Sequence, residues 1–388
     1  MPEPALILTA VCVSPSPNSH RQELTSTNRR VTTTITDKSF FTEPDSMPHN
    51  AQEPFVIAGV TVARGETKKI ELPIVRLYTD TEMAIPVYVH RGKKPGPTMF
   101  VSAAIHGDEL NGIEIISRLI NSKALKSLRG TLIAVPVVNV YGVLHQSRYL
   151  PDRRDLNRSF PGSARGSLAA RMAHIFLEEI VAKCDYGIDL HTGAIHRSNL
   201  PQIRANLDDQ QTREMAAAFG VPVLLNATLR DGSLRQAAAD LGVRILLYEA
   251  GEALRFDELC IRAGVRGVLN VMRKLEMIPV KRGRQGIEPF VARRSGWLRA
   301  GDSGIVNHKK QLGDHVKKGE ILATIADLYG NELDKVLADA DGIIIGKQNI
   351  PLVQEGEAMY HVAYFQEPNE VLENLELLQD TLLPEENF

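Results

Sequence analysis

The chain has 388 residues, 43% of them apolar and 24% charged, with a formal net charge of −2. That leaves room for two or three domains of ordinary globular composition, offers no basic field for nucleic acid, and contains no apolar run near the ~20 residues a membrane-spanning helix needs. Cys12, Cys184 and Cys260 are far apart and in no metal-type spacing, so a reducing, cytoplasmic setting is expected rather than a disulfide scaffold.

Residues 1–50 are rich in Ser, Thr, Pro and Asn, with little apolar periodicity. Such a composition cannot bury enough surface to offset its ordering entropy, so a disordered extension is expected. Ala5–Val13 follows Glu3 with no Lys or Arg ahead of it and no clear cleavage site, which argues against a signal peptide. Met47, just before the first foldable segment, is a candidate start for the functional protein.

An α/β domain is expected over 51–280. Phe55 to Arg91 holds short apolar runs broken by GET and TDTE, which read as strands of a hairpin or meander. Gly92 to Thr98 reads as a Pro/Gly connection. Met99 to Ile105 is a run typical of a strand buried on both faces, and it breaks at His106-Gly107. Leu110, Ile113, Ile116, Leu119 and Ile120 then recur at helical spacing, which places Glu109 in the first helical turn. A second buried strand, Thr131 to Val138, completes a βαβ unit with parallel strands. Residues 145–162 fit no period and form a long arginine-rich loop, of the kind that is usually functional or disordered. A helix over 167–183 leads to a strand, Tyr186 to Leu190, that ends in His191-Thr192-Gly193. After a polar loop come a helix at 210–219, a strand Val221 to Asn226, a helix at 233–241, a strand Val243 to Gly251 with Glu249 near its end, and a helix from Phe256 to about Met277. This alternation argues for a mostly parallel or mixed sheet flanked by helices.

A basic linker is expected at 281–287. Over 288–366 short alternating runs separated by Gly-Asp and Gly-Glu turns suggest a small all-β, barrel-like domain, followed by an acidic tail at 367–388. The β pattern resembles lipoyl and biotinyl carrier barrels, and Lys335 sits in a sequence like that of their modified lysine. Six residues, LYGNEL, intervene where those carriers turn almost at once, so a barrel packed on the catalytic domain, as a lid or a homo-oligomer surface, is the preferred reading.

Three strand ends thus present His106 with Glu109, His191, and Glu249. An imidazole and a carboxylate this close suit Zn²⁺, and a His₂Glu set leaves a fourth position for water whose pKa falls toward ~7. Glu249 is then the candidate general base, which hands the proton on to a leaving nitrogen. Asp189, two residues before His191 on the same strand face, is placed either to orient that histidine or for a plain structural role.

HGDE, DLNR, DLHTG and YEAG, in this order, resemble the succinylglutamate desuccinylase/aspartoacylase family, relatives of the zinc metallocarboxypeptidases, over roughly 55–366. The resemblance implies a carboxypeptidase-like fold with one zinc per chain held by His106, Glu109 and His191, with Glu249 as acid/base. It also implies that Asn157 and Arg158 clamp a substrate carboxylate, a task that suits a planar guanidinium beside an amide. Arg148-Tyr149 resemble the pair whose arginine polarises the scissile carbonyl, with Arg153 and Arg154 as alternatives. The expected activity is hydrolysis of the amide of an N-acyl amino acid. A carboxypeptidase acting on peptides and a non-catalytic binding protein are the alternatives.

Overall fold

The computed structural model describes residues 54–280 and 289–364. The expected extension at 1–50, linker at 281–287 and tail at 367–388 lie outside the described residues.

β1 (Phe55–Ile57) and β2 (Val60–Val62) pair as a small antiparallel sheet. β3 (Thr67–Arg76) and β4 (Glu82–Arg91) form an antiparallel hairpin. Ile70, Leu72 and Ile74 are buried and alternate with exposed or half-buried neighbours, as a strand with one solvated face requires. β5 (Lys94–Ala103), α1 (Asn111–Ile120) and β6 (Arg129–Val135) make the expected parallel βαβ unit.

Two readings change here. Residues 94–98 belong to the strand, because Lys94 and Thr98 pair with Arg129 and Thr131 across an irregularity that accommodates the prolines. Glu109 precedes the helix, whose N-cap is Leu110. The turn that carries it is closed by Glu109 N–H donating to the His106 carbonyl at 3.2 Å.

The short helix α2 (Val140–Leu144) is capped by the Asn139 side chain, which accepts from the Gly142 N–H. α3 (Leu168–Glu179) starts at the Ser167 cap. β7 (Tyr186–Gly193) carries the second histidine. The expected polar loop after it is instead a strand, β8 (Arg197–Ala205), antiparallel to the later Arg244–Glu252 strand. Its polar side chains hid it, because Asn199 and Gln202 are buried polar partners rather than loop residues. α4 (Gln210–Phe219), β9 (Val223–Asn226), α5 (Leu234–Asp240), β10 (Arg244–Glu252) and α6 (Glu258–Lys274) follow. α4 ends at Gly220 with φ 82°, a left-handed cap that glycine takes without steric cost. The C-terminal strands are β11 (Phe290–Ala292), β12 (Arg294–Arg299), β13 (Gly304–His308), β14 (His315–Val316), β15 (Ile321–Ala326), β16 (Glu332–Leu337), β17 (Gly342–Gln348), β18 (Leu352–Val353) and β19 (Ala358–Tyr364).

Among the described residues the main sheet runs β12-β19-β17-β8-β10-β7-β5-β6-β4-β3, with β9, β11 and β14 as side branches. β10, β7, β5 and β6 are parallel neighbours, so their carboxyl ends share one rim. Met99, Val101 and Ala103 of β5 face α1 and α6, whereas Phe100 faces Met172 and Phe176 of α3. This two-sided burial explains the unbroken apolar run. The C-terminal strands have a core of their own around Leu322, Ile325, Met359 and Val362. β12, β19 and β17 continue the main sheet, because β17 pairs with β8, whereas β16, β15, β13 and β18 form a separate four-stranded antiparallel sheet. Lys335 lies within β16, opposite Thr324 and ion-paired to Glu332 at 3.0 Å. No helix among the described residues is long and apolar enough to cross a membrane.

Candidate metal centre and active site

The parallel register builds the site. Ser102 of β5 lies opposite Asp189 of β7, and His191 of β7 lies opposite Glu249 of β10. Period-two alternation puts Asp189 and His191 on one face. His106 reaches the same place because β5 ends in a bend. Ala104 sits at φ 51°, and Val138 and Asn139 N–H groups donate to the carbonyls of Ala103 and Ala104 at 3.0 and 2.9 Å. Gly107 is required beside it, since a Cβ there would lie 1.8 Å from the Gly142 carbonyl carbon.

His106, Glu109 and His191 are buried, with ligand-type atoms all within 4.8 Å of one another. The Glu109 carboxylate spans the two rings, with Oε1 2.8 Å from His106 Nδ1 and Oε2 2.8 Å from His191 Nδ1. Each ring is anchored through its other nitrogen. His106 Nε2 is 3.1 Å from Asp155 Oδ1, and His191 Nε2 is 2.7 Å from Asp189 Oδ2. Asp189 is in turn held by Ser102 Oγ–H at 2.7 Å.

Burial opposes charging each imidazole, but the carboxylates around them outweigh it and raise both pKa values. Burial likewise opposes ionisation of Glu109, but the two rings hold its carboxyl far below the usual range. Two nitrogen donors and a carboxylate, with each imidazole's far nitrogen hydrogen-bonded to an acid, fit a divalent metal ion.

Around this centre lies a cavity of about 850 Å³. Arg148 approaches from the 145–162 loop, its Nη2 2.9 Å from Asp155 Oδ2 and its Nη1 3.3 Å from Glu109 Oε1. Arg153 and Arg154 are exposed, and Arg154 pairs with Asp152 at 3.2 Å. Asn157 and Arg158 line the cavity. Their segment is tied down, because Asn157 Oδ1 accepts the Leu234 N–H at 2.9 Å and the Gly232 carbonyl accepts from Phe160 N–H at 3.0 Å. Glu249 faces the centre from β10. Asn199 Nδ2 donates to its carboxylate, and Arg204 Nε lies 3.5 Å from its other oxygen. His106, Glu109, His191, Glu249, Arg148, Asn157 and Arg158 thus line one cavity, with Asp189 behind His191, whereas Arg153 and Arg154 stand outside it.

Sequence reading missed Asp155, Asn199, Arg204 and Arg235. Asp155 opens the DLNR motif itself, so its position could have flagged it. Asn199 and Arg204 lie in the strand read as a loop. Arg235 is 8% exposed and donates to the Ala227 and Thr228 carbonyls. Burial, and the charge of Arg204 beside it, pull its pKa down to about 10.

Residues 95–275 match the family model for the succinylglutamate desuccinylase/aspartoacylase catalytic domain. An N-alpha-acetyl-L-2,4-diaminobutyric acid deacetylase from Halomonas elongata is 28% identical over 308 residues, which cover 75% of this chain and 87% of the relative. A crystal structure of a succinylglutamate desuccinylase/aspartoacylase from Rhodobacter sphaeroides is 25% identical, with a TM-score of 0.68 over 78% of this chain and 97% of the other. The product-bound ectoine utilization protein EutE (DoeB) from Ruegeria pomeroyi shares the fold at 22% identity, with a TM-score of 0.72 over 79% and 98% of the two chains. The four motifs gather at one sheet rim inside this matched segment, so residues 95–275 are similar in both sequence and site to the succinylglutamate desuccinylase/aspartoacylase catalytic domain.

Proposed function

We propose that this protein is a zinc-dependent amidohydrolase that releases the acyl group from an N-acyl amino acid or a related small carboxylate. The observation that carries the reading is the convergence of the His106, Glu109 and His191 donor atoms in one cavity with Glu249 and the Asn157-Arg158 pair. The deacetylase relative from Halomonas elongata supports the reaction class.

Arg158 and the Asn157 amide would hold the substrate carboxylate, an arrangement with directional, charge-assisted hydrogen bonds. A zinc ion held by His106, Glu109 and His191 would act as a Lewis acid toward the water and the acyl carbonyl. Arg148 would stabilise the negative charge that develops on the carbonyl oxygen. Glu249, oriented by Asn199 and Arg204, would take the proton from the attacking water and deliver it to the departing amine nitrogen. The products would be the free acid and the free amino acid.

Residues Ala292 to Trp297 wall the cavity from the C-terminal strands, which favours small substrates over the peptides of a carboxypeptidase. Among the described residues the lining holds eight arginines and two carboxylates, so a substrate with a second carboxylate should outcompete one with a cationic side chain. The test is a panel of N-acetyl and N-succinyl amino acids and short peptides incubated with zinc-loaded protein and scored by release of free amine. Cleavage of acyl amino acids is expected. Cleavage of peptides alone would favour the carboxypeptidase reading, and zinc binding without any turnover would favour a binding protein.

A further inference from the structure

At the end of the sheet away from the candidate metal centre lies a second cavity, of about 620 Å³. It is enclosed by the turn between β4 and β5, the short 3-10 helix Lys123–Ser127 with the start of β6, and the chain leaving α6. β5 runs ten residues from Lys94, in the wall of this cavity, to Ala103, just before the bend to His106. At ~3.3 Å per residue the two sites are about 30 Å apart. Gly92 lets the β4–β5 turn close on β6, since a Cβ there would lie 2.1 Å from the Leu128 carbonyl oxygen. Leu128 and Ile278, both buried, give the cavity an apolar wall.

Its charge is one-sided. Lys93, Lys94, Lys126, Arg129 and Arg273 line it, none makes an ion pair among the described residues, and Glu276 is the one acid in the described lining. Arg91 and His90 also line it, but Arg91 Nη1 donates to the Val62 carbonyl at 2.8 Å and His90 Nδ1 lies 2.6 Å from Thr67 Oγ1. Arg273 Nη1 donates to Asn270 Oδ1 at 2.8 Å, whereas its Nε is buried with no hydrogen-bond partner among the described residues. A buried donor left in that state costs stability unless something accepts from it.

The end of α6 does not account for these cations. Cations gather at helix C-termini to serve unpaired carbonyls, but the carbonyls of Val271, Met272 and Arg273 already accept from the N–H groups of Leu275, Met277 and Glu276. Like charges around one recess repel one another and focus a positive field into it, which a bound anion relieves. The volume falls within the ~300–1,000 Å³ of small-molecule sites. Lysines, as point charges on flexible stems, suit the dispersed charge of a phosphate chain better than they suit a single planar carboxylate.

We propose that this cavity is a second ligand site, remote from the reaction, for a small organic phosphate of nucleotide size, with the cations on its phosphates and the apolar wall against its body. The site does not rest on the deacylase reading.

The catalytic cavity also holds arginines, so the experiment silences it. A full chain carrying R158Q, R230Q and R294Q is titrated with N-methylanthraniloyl-ADP and followed by fluorescence anisotropy. A second full chain adds K93Q, K126Q and R129Q, all at exposed positions. The first chain should bind saturably, with displacement by ADP, and the second should bind about tenfold more weakly or worse. In a separate measurement, acetic anhydride labels the lysines of the native chain with and without ADP. Mass spectrometry should then show Lys93, Lys94 and Lys126 protected and the exposed Lys335 unchanged.

Equal affinity of the two chains, or labelling of those three lysines that ADP leaves unaltered, would overturn the site. Displacement by citrate as strong as by ADP would overturn the phosphate assignment. Tighter binding of a single-stranded DNA oligonucleotide, with the same lysines protected, would overturn the proposal by giving the surface to nucleic acid.

Discussion

Asp189→Asn isolates the support beneath the candidate metal centre. The Asp189 side chain is fully buried and accepts from both Ser102 Oγ and His191 Nε2, each at 2.7 Å. Asparagine has nearly the same shape but only one acceptor oxygen, so its amide must face one of those two partners. Turned toward His191, it requires a lone pair on Nε2 and shifts the ring proton to Nδ1, the atom that faces Glu109 and would ligate the ion. A metal would then have to displace that proton. Turned toward Ser102, it leaves a buried donor poorly satisfied, at about 1–3 kcal/mol. Loss of such a supporting carboxylate typically lowers metal affinity about 10–100-fold, or about 1.4–2.8 kcal/mol. The assay is competition for zinc against a chromophoric chelator, with the fold checked by urea unfolding. Asp155→Asn is the comparison. Asp155 serves both His106 and Arg148 and is partly exposed, so its loss should weaken zinc less and kcat more. Zinc affinity of Asp189→Asn within twofold of the native chain, in a protein that remains folded, would refute the reasoning.

Glu249→Gln should keep zinc and lose about 10²–10⁴ in kcat, read as amine release at saturating substrate alongside metal content. Arg158→Lys should raise KM for carboxylate substrates about tenfold without rescue by its retained charge, because an ammonium cannot reproduce the bidentate fork. A KM equal to that of the native chain would remove Arg158 from the clamp. His361 is buried, and burial, with the charge of Arg204, depresses its pKa to about 3. The unfolded imidazole takes its proton near 6.5, so below that pH the unfolded state holds more protons and the folded state loses stability. At pH 5 this amounts to about 2 kcal/mol relative to neutral pH. Urea midpoints measured between pH 8 and pH 5 should therefore fall less steeply in His361→Phe than in the native chain.

The legible parts of this fold were those with local periodicity. The buried run before His106, the helical spacing after it, and the strand–histidine–glycine breaks all follow from short-range pattern, and the parallel βαβ pairing follows from handedness. The strand at 197–205 was illegible because it is central yet polar. Asn199, Gln202 and Arg204 are tolerated there by partners from β10 and the C-terminal strands. Glu109 falls outside α1 because its side chain is held by two histidines and the Thr192 N–H, a tertiary constraint that no helical period reports. Asp155 stood inside a recognised motif, but its task is visible only with His106 and Arg148 beside it.

By itself, the order of residues determined which side chains could serve a metal centre and which strand ends would carry them, since both depend on residue type and spacing of a few positions. Tertiary structure decided how they meet. Parallel register sets His191 against Glu249, a bend at Ala104 turns His106 inward, and a return of the C-terminal strands onto β8 places arginines around the centre. Those contacts join residues tens to hundreds of positions apart, where only packing and hydrogen-bond closure can select among the arrangements the chain could otherwise adopt.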